Sequence, residues 1–194
     1  MTAQINDEVF YKRHRYSIGG INGEGLFAPE EYGFRPQPSC TACWRGYYCQ
    51  YAVKRGILVL TDLHLFVDRE ACDAARRGDG TVLFGVHPRL AEELADIEYN
   101  RLDHPVTFTG GLLIAAGFIQ ELYIHMGFHP AWKYREVHEL TFEAGKLSRA
   151  ADRSKEIAEF RRDMAGRGIQ PGHTDPDGEL MRWIEQCFDR RYNW

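Results

Sequence analysis

Apolar and polar positions organise most clearly in the stretch "YYCQYAVKRGILVLTDLHL", residues 47–65. Residues 47–53 and 57–63 are two runs rich in β-branched and aromatic side chains, the composition that suits a pleated surface. Between them Lys54-Arg55-Gly56 is a short connection, and its glycine can take the positive φ of a tight turn. The same grammar recurs downstream. Residues 137–142 predict a strand, Glu143-Ala144-Gly145 a turn, and 146–149 the returning strand. "PVTFTGGLLIAAGF" (105–118) predicts one or two further strands, with Gly110-Gly111 marking a bulge or bend. "LYIHMGF" (122–128) is apolar and β-compatible and is expected to join the same sheet.

Helical spacing appears between and after these strands. Asp68 is placed to cap a helix over 69–77, and Gly78 to end it. Pro88 opens a second predicted helix, in which Leu90, Leu94 and Ile97 share one face. In the tail, 154–168 sets Ile157, Phe160 and Met164 at helical spacing behind a Ser154 cap. After the break "GIQPGHTDPDG", a last helix aligns Leu180, Ile184, Cys187 and Phe188. The pattern therefore predicts an α+β fold: a curved antiparallel β-sheet or small barrel-like core with inserted short helices and a helical C-terminal tail. Residues 1–150 form the β-rich core domain of this scheme, and 151–194 a helical extension packed on it.

Composition narrows the function classes. A chain of 194 residues with 44% hydrophobic and 13% aromatic content can bury one substantial core. A net charge of −4 gives no electrostatic case for nucleic acid, and the short basic run Lys12-Arg13-His14-Arg15 reads as a solvated strand or turn. No apolar run approaches the roughly 20 residues of a membrane helix, so no membrane partner is expected. The opening "MTAQINDEVF" lacks the basic start and apolar centre of an export signal. These features predict a cytoplasmic protein, and the five cysteines, an odd number, are expected to be reduced thiols.

At "TACWRGY" (41–47) the chain resembles a family of bacterial proteins for which no reaction is established. The likeness continues in order through the hairpin "YCQYAVKRGILVLTDL", then "PVTFTGGLLI", "YIHMGF", and Tyr134 ahead of "HELTFEAGKL". It spans roughly residues 40–150. The resemblance implies a shared fold and carries no catalytic residue across. Cys43 belongs to the shared string; Cys40, Cys49, the 68–100 insertion and the tail after 150 are particular to this sequence.

Three chemistries compete for the cysteine-rich stretch. Cys40-x-x-Cys43 is one good zinc pair, but a structural site needs a second, and only Cys49, Cys72, Cys187 or a histidine could complete it. Small buried thiols are the preferred reading, with no metal and no cofactor expected. A nucleophilic Cys43 beside Arg45, with His125 as base, has the right residue types and nothing to bring them together. The favoured reading is a polar pocket. If "CWRGYY" is extended, Cys43, Arg45 and Tyr47 point one way. An inward arginine then needs a negative companion, either a structural carboxylate (Asp62, Glu121 or Glu136) or an anionic ligand. The candidate ligand-binding residues are thus Arg45, Tyr47, His125 and Cys43, with His129 a weaker addition. Glu136 and Glu139, three apart, are expected on opposite faces of one strand.

Two functions follow. The first is a non-catalytic binding or accessory protein of the bacterial cytoplasm, immunity- or defence-associated, recognising a protein or a small anionic ligand. The second is a small enzyme acting on a phosphate- or carboxylate-bearing substrate through Arg45 and His125. Tyr192 and Trp194 in the tail are candidates for assembly into a homo-oligomer.

Overall fold

The computed structural model describes residues 2–92, 94–166 and 191–192. Among the described residues ten strands form one sheet: β1 (Glu8–Tyr11), β2 (His14–Glu24), β3 (Tyr47–Lys54), β4 (Ile57–Leu65), β5 (Arg89–Leu90), β6 (Ile97–Tyr99), β7 (His104–Pro105), β8 (Thr109–Phe118), β9 (Tyr134–Glu143) and β10 (Lys146–Asp152). Among the described residues two α-helices accompany them, α1 (Arg69–Arg77) and α2 (Ser154–Gly166).

Seven strands close into a barrel in the order β10-β9-β8-β2-β1-β3-β4, and β10 pairs back onto β4. The closing contact is Lys146 opposite Ile57, reinforced by Leu58 N–H donating to the Gly145 carbonyl at 2.9 Å and Leu147 N–H to the Gly56 carbonyl at 2.8 Å. The seam therefore joins the tips of two hairpins. One barrel pairing, β1 with β3, is parallel, so the expected all-antiparallel sheet needs that amendment. The long connection between β2 and β3 buries Phe27 and Phe34 in the main core cluster. The shorter strands β6 and β5 extend the sheet outward from β4, and β7 also pairs with β4.

Alternation sets the interior. Val9, Tyr16, Ile18, Cys49, Tyr51, Leu112, Ile114, Leu140 and Phe142 fill it in a single buried cluster. In β4 the inward residues are Leu58, Leu60, Leu63 and Leu65. The three-residue step from Leu60 to Leu63 is a bulge, visible as a register shift against Gln50 and Tyr51. A second, outer cluster of Leu113, Ala115, Val137, Ala131, Tyr134 and Ile157 seats α2 against β9. Arg161 fastens that helix by donating to the carbonyls of Trp132 (2.8 Å) and Tyr134 (2.6 Å).

Both predicted hairpins form, with Arg55-Gly56 and Ala144-Gly145 at positive φ in the turns. The α1 helix is capped as expected, Asp68 accepting from Ala71 N–H at 2.9 Å and Gly78 left-handed at its end. Other expectations are corrected. The helix predicted after Pro88 is instead the β5–β6 hairpin: Ile97 is buried, but Leu90 and Leu94 are exposed. Pairing to β4 overrides the local helical spacing there. "LYIHMGF" is not a strand; only Gly127 makes an isolated bridge, to Ala3. The break in β2–β8 pairing lies between Ile18 and Gly20, not at Gly110-Gly111. Gly110 (φ +139) instead faces Gly23 (φ +142) across the ladder, where a Cβ on Gly110 would stand 2.0 Å from the Asn22 carbonyl oxygen. Ser154 does not cap α2 with its hydroxyl, which accepts from Val137 N–H at 3.1 Å and so fixes the helix start to β9. Phe160 is exposed rather than facing the core. The last predicted helix, with Leu180, Ile184, Cys187 and Phe188, and Trp194 lie outside the described residues. Among the described residues, no helix is long and apolar enough to cross a membrane.

Candidate functional site

Arg45 does turn inward, but by a different local route. Residues 40–46 are not extended. Cys43 N–H donates to the Cys40 carbonyl at 3.0 Å and Gly46 N–H to the Cys43 carbonyl at 3.0 Å, making two consecutive turns. Gly46 sits at φ +74 with its Cα against the backbone of Gln37, a position closed to any side chain. Strand β3 begins only at Tyr47.

The companion of Arg45 is none of Asp62, Glu121 or Glu136. It is Asp7, on the segment leading into β1. The two carboxylate oxygens accept from both terminal nitrogens of the guanidinium, Oδ2 from Nη1 at 2.9 Å and Oδ1 from Nη2. Asp7 Oδ1 also accepts from Cys49 N–H at 2.8 Å, which ties the pair to β3. The Asp7 side chain is 2% exposed and that of Arg45 21%. The guanidinium carbon lies 4.6 Å from the Tyr47 ring centre and 5.8 Å from that of Phe128. Burial alone would lower the Arg45 pKa; the adjoining Asp7 charge and hydrogen bonds outweigh it and leave the group more firmly protonated than usual. Burial raises the Cys43 thiol, with Arg45 opposing only in part, and pushes Tyr47 up to about 12. The Cys43 thiol donates to the Tyr47 carbonyl at 3.1 Å.

His125 stands apart from this group. It is exposed, and its contacts are with Tyr123: a ring centre 4.8 Å away and a hydroxyl 3.4 Å from Nδ1. His129 is buried beside Lys133 and Phe118. The structure thus brings Cys43, Arg45 and Tyr47 together and leaves His125 outside. Among the described residues, no three His, Cys, Asp or Glu side chains gather in a way that could hold a metal ion. Glu136 and Glu139 do face opposite ways: Glu136 accepts from Tyr16 and meets His138, while Glu139 accepts from Arg153 and Tyr192.

A second locus, which the helical reading of 88–97 concealed, lies on the outer face of the sheet extension. The register places Tyr48, His64, Glu98 and Arg89 in one row across β3, β4, β6 and β5. Tyr48 and His64 stack face to face, 4.4 Å between ring centres. Glu98 lies opposite Arg89 yet spends its oxygens elsewhere: one accepts from Asn100 at 2.6 Å and the other stands 3.6 Å from His64 Nδ1. Beside this row runs an open groove of roughly 790 Å³ lined by Asp62, Val86, His87, Arg89, Asn100 and Arg101. Arg101 is held at φ +59 with its backbone N–H donating to Asp62 at 3.2 Å. Among the described residues, neither the Arg89 nor the Arg101 guanidinium has a carboxylate within ion-pair distance. The signal legible in sequence was weak: His87, Arg89 and Arg101 are spaced for one sheet face only once 89–99 is known to be a hairpin.

Comparison of the chain with protein-family models, with curated proteins and with solved structures returns no match.

Proposed function

We propose that this chain is a non-catalytic binding or accessory protein that takes an anionic group of its partner into the groove beside β5 and β6. The observation that carries this reading is the pair Arg89 and Arg101, two exposed guanidiniums flanking one concavity without carboxylate partners among the described residues. A guanidinium fork matches the geometry of carboxylate and phosphate oxygens and is less costly to desolvate than an ammonium. Arg45 is a poorer anchor, because Asp7 already occupies its fork. The enzyme reading is disfavoured by the same geometry, since Cys43 and Arg45 do not meet His125.

A protein partner is favoured over a free small anion by one further feature. Val82, Leu90 and Leu94, which flank the groove-lining segment in sequence, are all exposed. Leu90 alternates with Arg89 on β5 and so faces the other side of the sheet. Exposed apolar side chains next in sequence to the groove's arginine suit a partner that presents an acidic side chain amid an apolar surface. The test is a pair of titrations, with inorganic phosphate and with a polyglutamate peptide, read by thermal shift. Wild type is expected to be stabilised by the peptide more than by phosphate, and the double variant Arg89→Ala/Arg101→Ala to lose the shift while keeping its unliganded melting point. An equal shift in the double variant rejects the groove.

A further inference from the structure

The turn that holds Arg45 contains a second pair of side chains that the binding reading does not use. Cys40 and Cys43 form an isolated antiparallel bridge, their backbones joined by the 3.0 Å bond from Cys43 N–H to the Cys40 carbonyl. A four-residue turn closed by such an i to i+3 bond holds its end Cα atoms within about 7 Å of each other. That range overlaps the roughly 4.4–6.8 Å window over which a disulfide closes without moving the backbone. Both thiols are free in this structure, Cys40 partly exposed and Cys43 buried.

We propose that Cys40 and Cys43 are a reversible redox couple, closed into a disulfide by exchange with a low-molecular-weight disulfide such as oxidised glutathione. Exposure assigns the order. The Cys40 thiolate attacks one sulfur of the oxidised glutathione, whose S–S bond breaks and releases one glutathione thiolate. The Cys43 thiolate then attacks the Cys40 sulfur of the mixed disulfide and expels the second. Two cysteine thiols are oxidised, one glutathione disulfide is reduced to two thiols, and the two protons pass to the departing thiolates. The Cys43 thiol then no longer donates to the Tyr47 carbonyl, a bond present only in the reduced state.

The position of this turn makes the change structural. Ile5 N–H donates to the Ala42 carbonyl (2.8 Å), the Gln4 side chain to the Thr41 carbonyl (2.9 Å), and Trp44 N–H to the Gln4 side chain (2.8 Å). Residues 41–44 therefore hold the segment that delivers Asp7 to Arg45. Closing Cys40 to Cys43 staples that holder in place.

The experiment incubates the folded wild-type protein with oxidised glutathione, quenches with an alkylating agent, and maps the products by peptide mass spectrometry. The expected product is a peptide that carries both cysteines, has lost two hydrogens and takes up no alkyl group, restored by dithiothreitol. Cys40→Ser, an accessible position whose replacement leaves the core intact, is expected to abolish it; Cys49→Ala is expected to retain it. A stable glutathione adduct on Cys40 in wild type, or a disulfide that joins two chains, overturns the proposal. So does alkylation of Cys40 at an unchanged rate after oxidation.

Discussion

Asp7 carries a charge buried to 2% exposure, and the Arg45 fork is the counter-charge that meets it. A buried pair of this kind is worth little against a well-packed apolar substitute, but removing one member strands the other. Asp7→Asn is expected to destabilise the protein by about 3–5 kcal/mol in urea unfolding. The double change Asp7→Leu/Arg45→Met should recover much of that loss; strict additivity of the two single variants would mean that the residues do not interact. His129 offers a pH test at the same scale. Burial, aided by the neighbouring Lys133, lowers its pKa from 6.5 to about 4. The unfolded chain then binds the extra proton between those values, so stability falls as pH drops from about 6.5 toward 4. Replacing it with glutamine should flatten that part of the urea-midpoint profile; an unchanged slope would place the proton elsewhere.

At the level of elements, what could be read in advance was whatever local chemistry dictates alone. The two hairpins were legible because Gly56 and Gly145 supply left-handed turn residues between alternating runs, and α1 because Asp68 and Gly78 bracket it. Of the β1–β2 hairpin only the run Lys12-Arg13-His14-Arg15 was read, as a solvated strand or turn; the strands on either side were not, since the turn uses Lys12 (φ 46) and Arg13 (φ 72) rather than glycine. The 89–99 hairpin was read as a helix because Leu90, Leu94 and Ile97 at helical spacing after Pro88 mask a pairing that exists only when β4 is alongside. That error hid Arg89 and Arg101. The inward Arg45 was expected from a strand alternation that residues 40–46 do not have, and its need for a negative companion from the cost of burying a guanidinium. Its partner was not, because Asp7 lies 38 positions upstream and reaches it only through the parallel β1–β3 pairing.

For the molecule as a whole, the ring of seven strands depends on a seam only one register pair long, Lys146 with Ile57, between hairpins whose own ladders run along their full length. Each hairpin closes a short loop, whereas the seam joins distant parts of the chain and must wait for the loop entropy to be met by other contacts. The order of assembly follows: ribbons first, ring last. Replacing Val53 in the β3–β4 hairpin with alanine should therefore slow refolding, while Ile114→Val in β8, whose partners Ile18 and His138 lie far along the chain, should mainly speed unfolding. Stopped-flow chevrons report both limbs, and an Ile114 variant that refolds slowly in proportion to its lost stability would reverse the sequence. A cylinder so lightly stitched spends its last folding step as an open, curled sheet, and in that interval its edges are available to another chain.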